Sequence, residues 1–277
     1  MRPERANIAI PHFPPGLAWV GDEPPAVERI TAGGPVLVHF FEIGELRGVR
    51  TLPYLNAWAE RYDEHGLTIL GIHTPRSDLA RELPALKPAI ERLEIGFPVA
   101  NDREYRLWHA YGCKGWPSLF LWAQGGALSW FHFGEGAYLA TELAIQEEIA
   151  ESISGLEGLA LPEPIGSLRP EDADDARLIT PSAEVFPGGS HDRAWTPAEP
   201  GEPLEVEYAA GGAWASLGGE GAIEVSVDGG ELRRIAVEAP GLYELSKHDV
   251  HGIHEVRIEL EDEIRIWSVG FAAGLEP

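Results

Sequence analysis

The chain has 277 residues, a formal net charge of −24 at pH 7 and 44% hydrophobic residues. This length suits one large domain or two ordinary domains, with enough apolar residues for sizeable cores. The negative charge would repel phosphate backbones and anionic membranes, so we do not expect a nucleic acid partner. An acidic composition of this kind is typical of a soluble protein surface.

Cysteine usage and hydropathy limit the function classes further. Cys113 is the only cysteine, so no intrachain disulfide can form and a multi-cysteine metal site is excluded. We predict neither a metal nor another cofactor. No run of about 20 apolar residues is present, which predicts the absence of a membrane span. The N-terminus lacks the apolar core of a signal peptide, so the chain as written is predicted to be cytoplasmic.

Strand and helix patterns alternate from about residue 30 to 150. Such alternation predicts an α/β domain whose central sheet is covered on both faces. Apolar runs indicate the strands, and apolar residues at helical spacing indicate the helices. The predicted elements are strand 36–41, helix 45–65 with a kink at Pro53, strand 67–73, a helical segment 76–93 interrupted by Pro84 and Pro88, helix 102–111, strands 118–122 and 128–133, and helix 138–152.

The second half has a different pattern of short strands separated by turns, which predicts an all-β sandwich or jelly roll. The sequence Asp228-Gly229-Gly230 is typical of a hairpin turn. We predict a thioredoxin-like domain with its N-terminal entry segment at 1–154, a linker or surface strap at 155–177 and the β-rich domain at 178–277. Its predicted strands are 204–208, 222–228, 232–237, 241–245, 255–260 and 264–269.

Short stretches spread along the first half resemble a known family. They are Phe40-Phe41, Arg50 to Leu55 with Trp58, His73-Thr74-Pro75, Phe97 to Asp102, Tyr111-Gly112, Trp116-Pro117, His132 to Gly136 and Thr141-Glu142. With these stretches the first half resembles a thioredoxin-like domain of the TlpA/DipZ type, in the AhpC/TSA-redoxin superfamily. Trp116-Pro117 falls where the family carries its cis-proline. The second half is similar to the carbohydrate-module-like β-sandwich that follows this domain in DipZ-type proteins.

The resemblance also shows what the sequence lacks. The family's reactive Cys-x-x-Cys pair falls on Glu45 and Gly48, and dithiol exchange needs one thiolate to attack and a second thiol to release the mixed disulfide. Because a helix N-terminus stabilises negative charge, we interpret Glu45 as a structural replacement for a thiolate. An alternative pairs Glu42 with Glu45 as an acid/base couple for glycoside hydrolysis. That chemistry needs one carboxyl with a raised pKa, whereas the helix N-terminus and the nearby Arg47 and Arg50 are expected to lower the pKa of both carboxyls.

Cys113 supports an alternative, enzymatic interpretation. It lies shortly before the Trp116-Pro117 turn, which borders the active site in thioredoxin-like folds, and Lys114 beside it offers a positive charge. A thiol with a low pKa there could form mixed disulfides or react with peroxide. A single cysteine is more often a small buried apolar residue.

Two further groups of residues are candidate binding sites. His248, His251 and His254 recur at intervals of three and could bind a metal, but this spacing does not keep side chains on one face of a strand, so a solvated turn is favoured. Aromatic rings can form platforms for sugars, although core packing is the more frequent role of tryptophan in a β-sandwich. The candidate platforms are Trp195, Trp214 and Trp267.

These observations predict a redox-silent thioredoxin-like protein that acts by binding a protein or peptide, or a glycan. The candidate binding residues of the first half are Glu42, Arg47, Trp116 and Pro117, in the cleft that would hold extended peptide in active relatives. A single-cysteine thiol oxidoreductase or peroxidase that uses Cys113 is the alternative function.

Overall fold

The structure is a computed structural model that describes residues 1–3, 8–152, 160–199 and 201–277. The chain divides into two compact units. The first comprises Met1–Glu42, Arg50–Thr74 and Glu94–Leu168, and the second Ile43–Val49, Pro75–Leu93 and Arg169–Pro277. The sequence-based domain boundaries at 154/155 and 177/178 stay a prediction, and positions 155–159 of the predicted linker lie outside the described residues.

The first unit is built on a six-stranded mixed sheet flanked by helices. Its strand order is β1-β4-β3-β2-β5-β6, with β2, β3 and β4 parallel to one another and the other neighbours antiparallel. In chain order the elements as far as α5 are β1 (Ala18–Val20), α1 (Val27–Gly33), β2 (Val36–Phe41), α2 (Leu46–Tyr62), a 3-10 helix (Asp63–His65), β3 (Thr68–His73), α3 (Leu83–Arg92), β4 (Val99–Asn101), α4 (Arg106–Tyr111), β5 (Ser118–Trp122), β6 (Leu128–Phe133) and α5 (Tyr138–Ser152). Of these, α3 and the first turn of α2 belong to the second unit.

Burial explains why several elements match their prediction. Every residue of β2 and β5 is buried, so each strand is a continuous apolar run with sharp ends. The bounds of β2, β5, β6 and α5 are those predicted from the sequence. The predicted cis bond is also confirmed between Trp116 and Pro117.

Two helices, α3 and α4, begin later in the chain than the sequence predicts. α4 begins at Arg106 and not at residue 102, because the Asp102 carboxylate accepts hydrogen bonds from the backbone N–H groups of Leu107 (3.1 Å) and Trp108 (2.9 Å). α3 begins at Leu83 and not at residue 76, with Pro84 in its first turn, where proline costs no hydrogen bond. The helix then continues through Pro88.

Residues 160–168 form a strap that is hydrogen-bonded to the helices of the first unit. The buried Glu142 carboxylate accepts hydrogen bonds from the Tyr62 hydroxyl (2.7 Å) and from the backbone N–H of Ile165 (3.0 Å). The backbone N–H of Leu168 donates to the Tyr54 hydroxyl at 2.8 Å. These hydrogen bonds fix residues 160–168 on the helices of the first unit, and the extent of the linker at 155–177 stays a prediction.

The second unit is all-antiparallel, which confirms the predicted all-β character of the second half. Its main sheet has the order β10-β9-β11-β8-β12, and β13 pairs with β7 in a two-stranded sheet. The elements after α5 are a 3-10 helix (Pro170–Asp172), β7 (Leu178–Ile179), β8 (Leu204–Gly218), β9 (Gly221–Val227), β10 (Arg233–Val237), β11 (Gly241–Leu260), β12 (Arg265–Ala272) and β13 (Gly274–Leu275). The hairpin at Asp228-Gly229 is confirmed, with positive φ at both residues.

The two longest strands change the face that they bury. On β8, Val206, Tyr208 and Ala210 face the core, and beyond Gly211 the buried apolar positions are the odd-numbered residues 213–217. A side chain at Gly211 would lie 2.6 Å from the backbone of Gly274, so the switch requires a residue without a Cβ. On β11 the pairing with β8 passes from Lys247 directly to Gly252, leaving residues 248–251 as a bulge.

Glu142 provides a test of how the strap is held. Glu142→Ala leaves the buried Tyr62 hydroxyl and the Ile165 N–H without their acceptor, so we expect a loss of about 2–4 kcal/mol in the free energy of unfolding. Glu142→Gln keeps one acceptor oxygen and should lose less. Urea denaturation measures both values, with the exposed Glu147→Ala as control. Equal stability of Glu142→Ala and the wild type would contradict this account of the strap.

Candidate functional site

The two positions that the family resemblance assigns to the cysteine pair are hydrogen-bonded to each other. Glu45 immediately precedes α2, and its Oε2 accepts a hydrogen bond from the backbone N–H of Gly48 at 2.7 Å. The Glu45 backbone carbonyl accepts the N–H of Val49, which is the first backbone bond of the helix. Glu45 therefore caps the N-terminus of α2.

The Glu45 carboxyl is buried, and burial dominates its protonation. Glu45 is only 3% exposed, and Nε of Arg47 donates a hydrogen bond to its Oε1 at 2.8 Å. Desolvation raises the pKa of Glu45 above its ordinary value, and Arg47 together with the Gly48 N–H offsets only part of that shift. Arg47 and the Gly48 N–H lower this pKa as expected, but the net shift is upward because desolvation is larger, and the sequence does not reveal how deeply Glu45 is buried.

Glu45 borders a cavity of about 240 Å³ within the second unit. Its polar wall includes a second ion pair, because Glu184 accepts two hydrogen bonds from the Arg76 guanidinium at 2.7 and 2.8 Å. Two carboxylates are thus matched by two guanidinium groups. The remaining wall is largely apolar. The lining residues are Glu45, Leu46, Arg47, Pro181, Ser182, Glu184, Gly270 and Phe271.

Glu42 is buried at the end of β2 in the first unit. Its Oε1 lies 4.0 Å from Nε2 of His73, which is also fully buried. Burial lowers the pKa of His73 to about 3, so the imidazole is neutral at neutral pH and the two groups form no ion pair there. Glu42 and Glu45 fall in different units, and the acid/base couple stays a hypothesis.

Trp116 and Pro117 lie in the first unit beside a cluster of aromatic rings. The indole N–H of Trp116 donates to the backbone carbonyl of Thr74 at 3.0 Å, and its ring packs on Trp108 with centroids 4.3 Å apart. Trp116 is half-buried and Pro117 is buried. The tryptophan side chain is therefore fixed at one end while part of its ring remains accessible.

Cys113 is part of the core of the first unit. The residue is 8% exposed and packs among apolar side chains. Desolvation raises the pKa of its thiol to about 12, and a hydrogen bond with Ser118 offsets only part of that shift. At neutral pH the sulfur is a neutral thiol, which is a poor nucleophile.

The three histidines lie in and beside the β11 bulge, and the predicted solvated turn is replaced by this irregular part of a strand. His248 and His254 are half-buried and stack on each other. Within the described ranges, no three His, Cys, Asp or Glu side chains are grouped so that they could hold a metal ion. In the same part of the chain, no helix is long and apolar enough to cross a membrane.

The three candidate tryptophan platforms are all half-buried. Trp195 packs on the main core of the second unit, and Trp214 packs on a smaller cluster that contains Leu46 and Leu242. Trp267 lies against the backbone of Gly218, where a side chain would meet its ring at 2.8 Å. Each ring combines core packing with partial exposure, and the platform role stays a prediction.

The pKa of Glu45 gives a measurable pH dependence. Because the folded pKa is raised above 4.5, the folded state binds more protons than the unfolded state as the pH rises from that value. The free energy of unfolding of the wild type should therefore fall, relative to Glu45→Gln, as the pH rises through the folded pKa. Urea denaturation between about pH 4 and pH 8 measures this difference, with the exposed Glu64→Gln as control. A difference that stays constant would contradict the raised pKa.

Sequence comparison finds relatives that match about half of this chain. It is 27% identical over 155 residues to Protein DipZ of Mycobacterium tuberculosis, a match that covers 56% of this chain and 21% of DipZ. It is 30% identical over 146 residues to NHL repeat-containing protein 2 of Homo sapiens, covering 50% of this chain and 20% of that protein. The matches thus span about a fifth of the length of these relatives. No known protein-family profile matches the chain.

Solved structures align with about half of the chain. A thioredoxin-like protein in its oxidized form aligns with a TM-score of 0.47 and 22% identity, covering 52% of this chain and 95% of the other. A thiol-disulfide isomerase from Corynebacterium glutamicum aligns with a TM-score of 0.45 and 24% identity, covering 51% and 97%. The chain has a thioredoxin-like α/β fold with a mixed sheet flanked by helices, followed by an all-antiparallel β domain, and about half of it is similar in sequence to DipZ.

Proposed function

We propose that this thioredoxin-like protein binds a polypeptide partner and does not exchange disulfides. The observation that carries the proposal is the hydrogen bond between Glu45 and Gly48 at the positions where the resemblance places the cysteine pair. Neither a carboxylate nor a glycine can attack a disulfide or release a mixed disulfide. With one cysteine in the chain, no second thiol is available elsewhere.

The size of the Glu45 cavity favours a side chain of a polypeptide partner over a small-molecule ligand. Its volume of about 240 Å³ lies below the usual range of small-molecule sites, about 300–1,000 Å³, and suits a single side chain of a partner. Arg47 lies at this cavity with a side chain that is 59% exposed. Its guanidinium can donate to a backbone carbonyl or a carboxylate of the partner while it remains paired with Glu45.

Arg47→Ala tests the cavity as a binding site. We expect the full-length protein to be retained by a subset of extended peptides in an immobilised array. The variant should bind that subset about tenfold or more weakly, because a hydrogen bond from a charged donor is lost. Arg81→Ala is the matched control, since Arg81 is a partly exposed arginine that pairs with the exposed Asp78 and does not line the cavity. Undiminished binding by Arg47→Ala would exclude the cavity, and retention of no peptide would contradict a polypeptide partner.

A glycan partner is the second candidate, and the partial exposure of three tryptophan rings favours it. A sugar would stack on the accessible face of one of these rings. Retention of the full-length protein on polysaccharide, with loss of retention in Trp214→Ala, would support this candidate. Unchanged retention of that variant would show that Trp214 does not bind the glycan.

The alternative enzymatic function requires a reactive Cys113. Because the thiol is buried and its pKa is raised to about 12, we expect iodoacetamide to alkylate it at least about 100-fold more slowly in the folded protein than in the denatured chain. The wild type should likewise show no turnover in insulin reduction. Rapid alkylation with a midpoint below about pH 8.5 would instead favour the single-cysteine enzyme.

A further inference from the structure

A chain of polar side chains beside the β11 bulge is separate from the Glu45 cavity. The rings of His248 and His254 stack face to face, with centroids 3.5 Å apart and planes inclined by 3°. His254 Nδ1 lies 2.7 Å from Asp228 Oδ2, and His248 Nε2 lies 3.1 Å from the Tyr208 hydroxyl. That hydroxyl is in turn 2.7 Å from Ser246 Oγ.

The groups that contact the stack set the charge that it can hold. β8 contributes Tyr208, the β9–β10 turn contributes Asp228, and from β12 the uncharged Phe271 stacks on Tyr208. β13 approaches the bulge through the uncharged Gly274. Asp228 is the carboxylate that contacts the stack, through Nδ1 of His254. One positive charge in the stack is compensated, whereas two would repel each other across 3.5 Å.

The stack lies beside the irregular part of β11. Residues 248–251 are passed over by the pairing of β11 with β8, so this segment is outside that ladder, although its backbone at His251 lies close to Gly274 of β13. Asp228 also accepts the backbone N–H of Glu255 at 2.9 Å, which ties the hairpin turn to the strand just after the bulge. Gly252 makes room for the stack, because a side chain there would lie 2.6 Å from Nε2 of His254.

We propose that His248 and His254 form a pH-sensitive latch, which holds the 248–251 bulge closed while the stack carries at most one charge and releases it when both rings are protonated. Burial and the neighbouring His254 lower the pKa of His248, an effect that Asp228 partly offsets. A lowered histidine pKa means that the closed state binds fewer protons than the open one. The closed state is therefore fully stable above the ordinary histidine pKa of about 6.5 and loses stability as the pH falls below it.

Hydrogen exchange of the full-length protein tests the latch. After correction for intrinsic exchange rates, protection of the amides at 248–252 should fall by up to about tenfold per pH unit below pH 6.5, because opening takes up a proton. The amides of β11 at 242–245 serve as an internal reference and should keep their protection. Protection at 248–252 that does not change between about pH 8 and pH 5 would overturn the proposal.

Three variants test whether the pH dependence of protection at 248–252 comes from the stack or from general acid destabilisation of the fold. His248→Gln keeps a hydrogen-bonding side chain but cannot be charged, and Gly252→Ala keeps both imidazoles while displacing His254, so both should abolish the pH dependence. His251→Gln changes a histidine of the same bulge that lies outside the stack and should retain it. If a variant fails to fold, the NMR titration of the two imidazoles in the wild type decides. Coupled, two-step titration supports the latch, and independent titration at ordinary values overturns it.

Discussion

The N-terminus of α2 depends on one buried carboxylate. Glu45 satisfies the Gly48 N–H and holds Arg47, and it does so while 3% exposed. Removing a charge from water is costly, and here the compensation comes from a guanidinium and a backbone donor. A cap of this kind keeps the helix start in place without any reactive group. The burial that makes this cap costly in free energy also separates the carboxylate from bulk solvent.

Burial shifts three ionisable groups of the chain toward their neutral forms. Burial raises the pKa of Glu45 and of the Cys113 thiol, and it lowers the pKa of His73. Nucleophilic and general-base chemistry needs the opposite, a group poised to change charge near neutral pH. His73 and Cys113 are neutral at neutral pH, and what they contribute there is shape and hydrogen bonding. That combination is more useful for binding than for catalysis, and it argues for the polypeptide-binding function over the single-cysteine enzyme.

The sequence predicts best the elements whose surroundings are uniform. β2 and β5 are buried on both faces, so their apolar runs define their ends without knowledge of the rest of the fold. For β8 the sequence predicts only residues 204–208 of a strand that runs from Leu204 to Gly218. The middle of this strand is rich in alanine and glycine, which are depleted in strands. Gly211 is there because another backbone approaches within van der Waals distance, and such a contact leaves no local signal.

The surroundings of the candidate site could not be predicted from the sequence, because distant segments of the chain form them. A family resemblance finds Glu45 and Gly48, and the capping role of a carboxylate follows from their position before a helix. The burial of Glu45, and hence the direction of its pKa shift, comes from the cavity walls contributed by residues 181–184 and 270–271, more than 130 positions along the chain. The Arg76–Glu184 and Arg92–Tyr243 contacts span similar separations. Local patterns report which side chains can carry charge, whereas the dielectric surroundings that decide their protonation are a property of the folded unit.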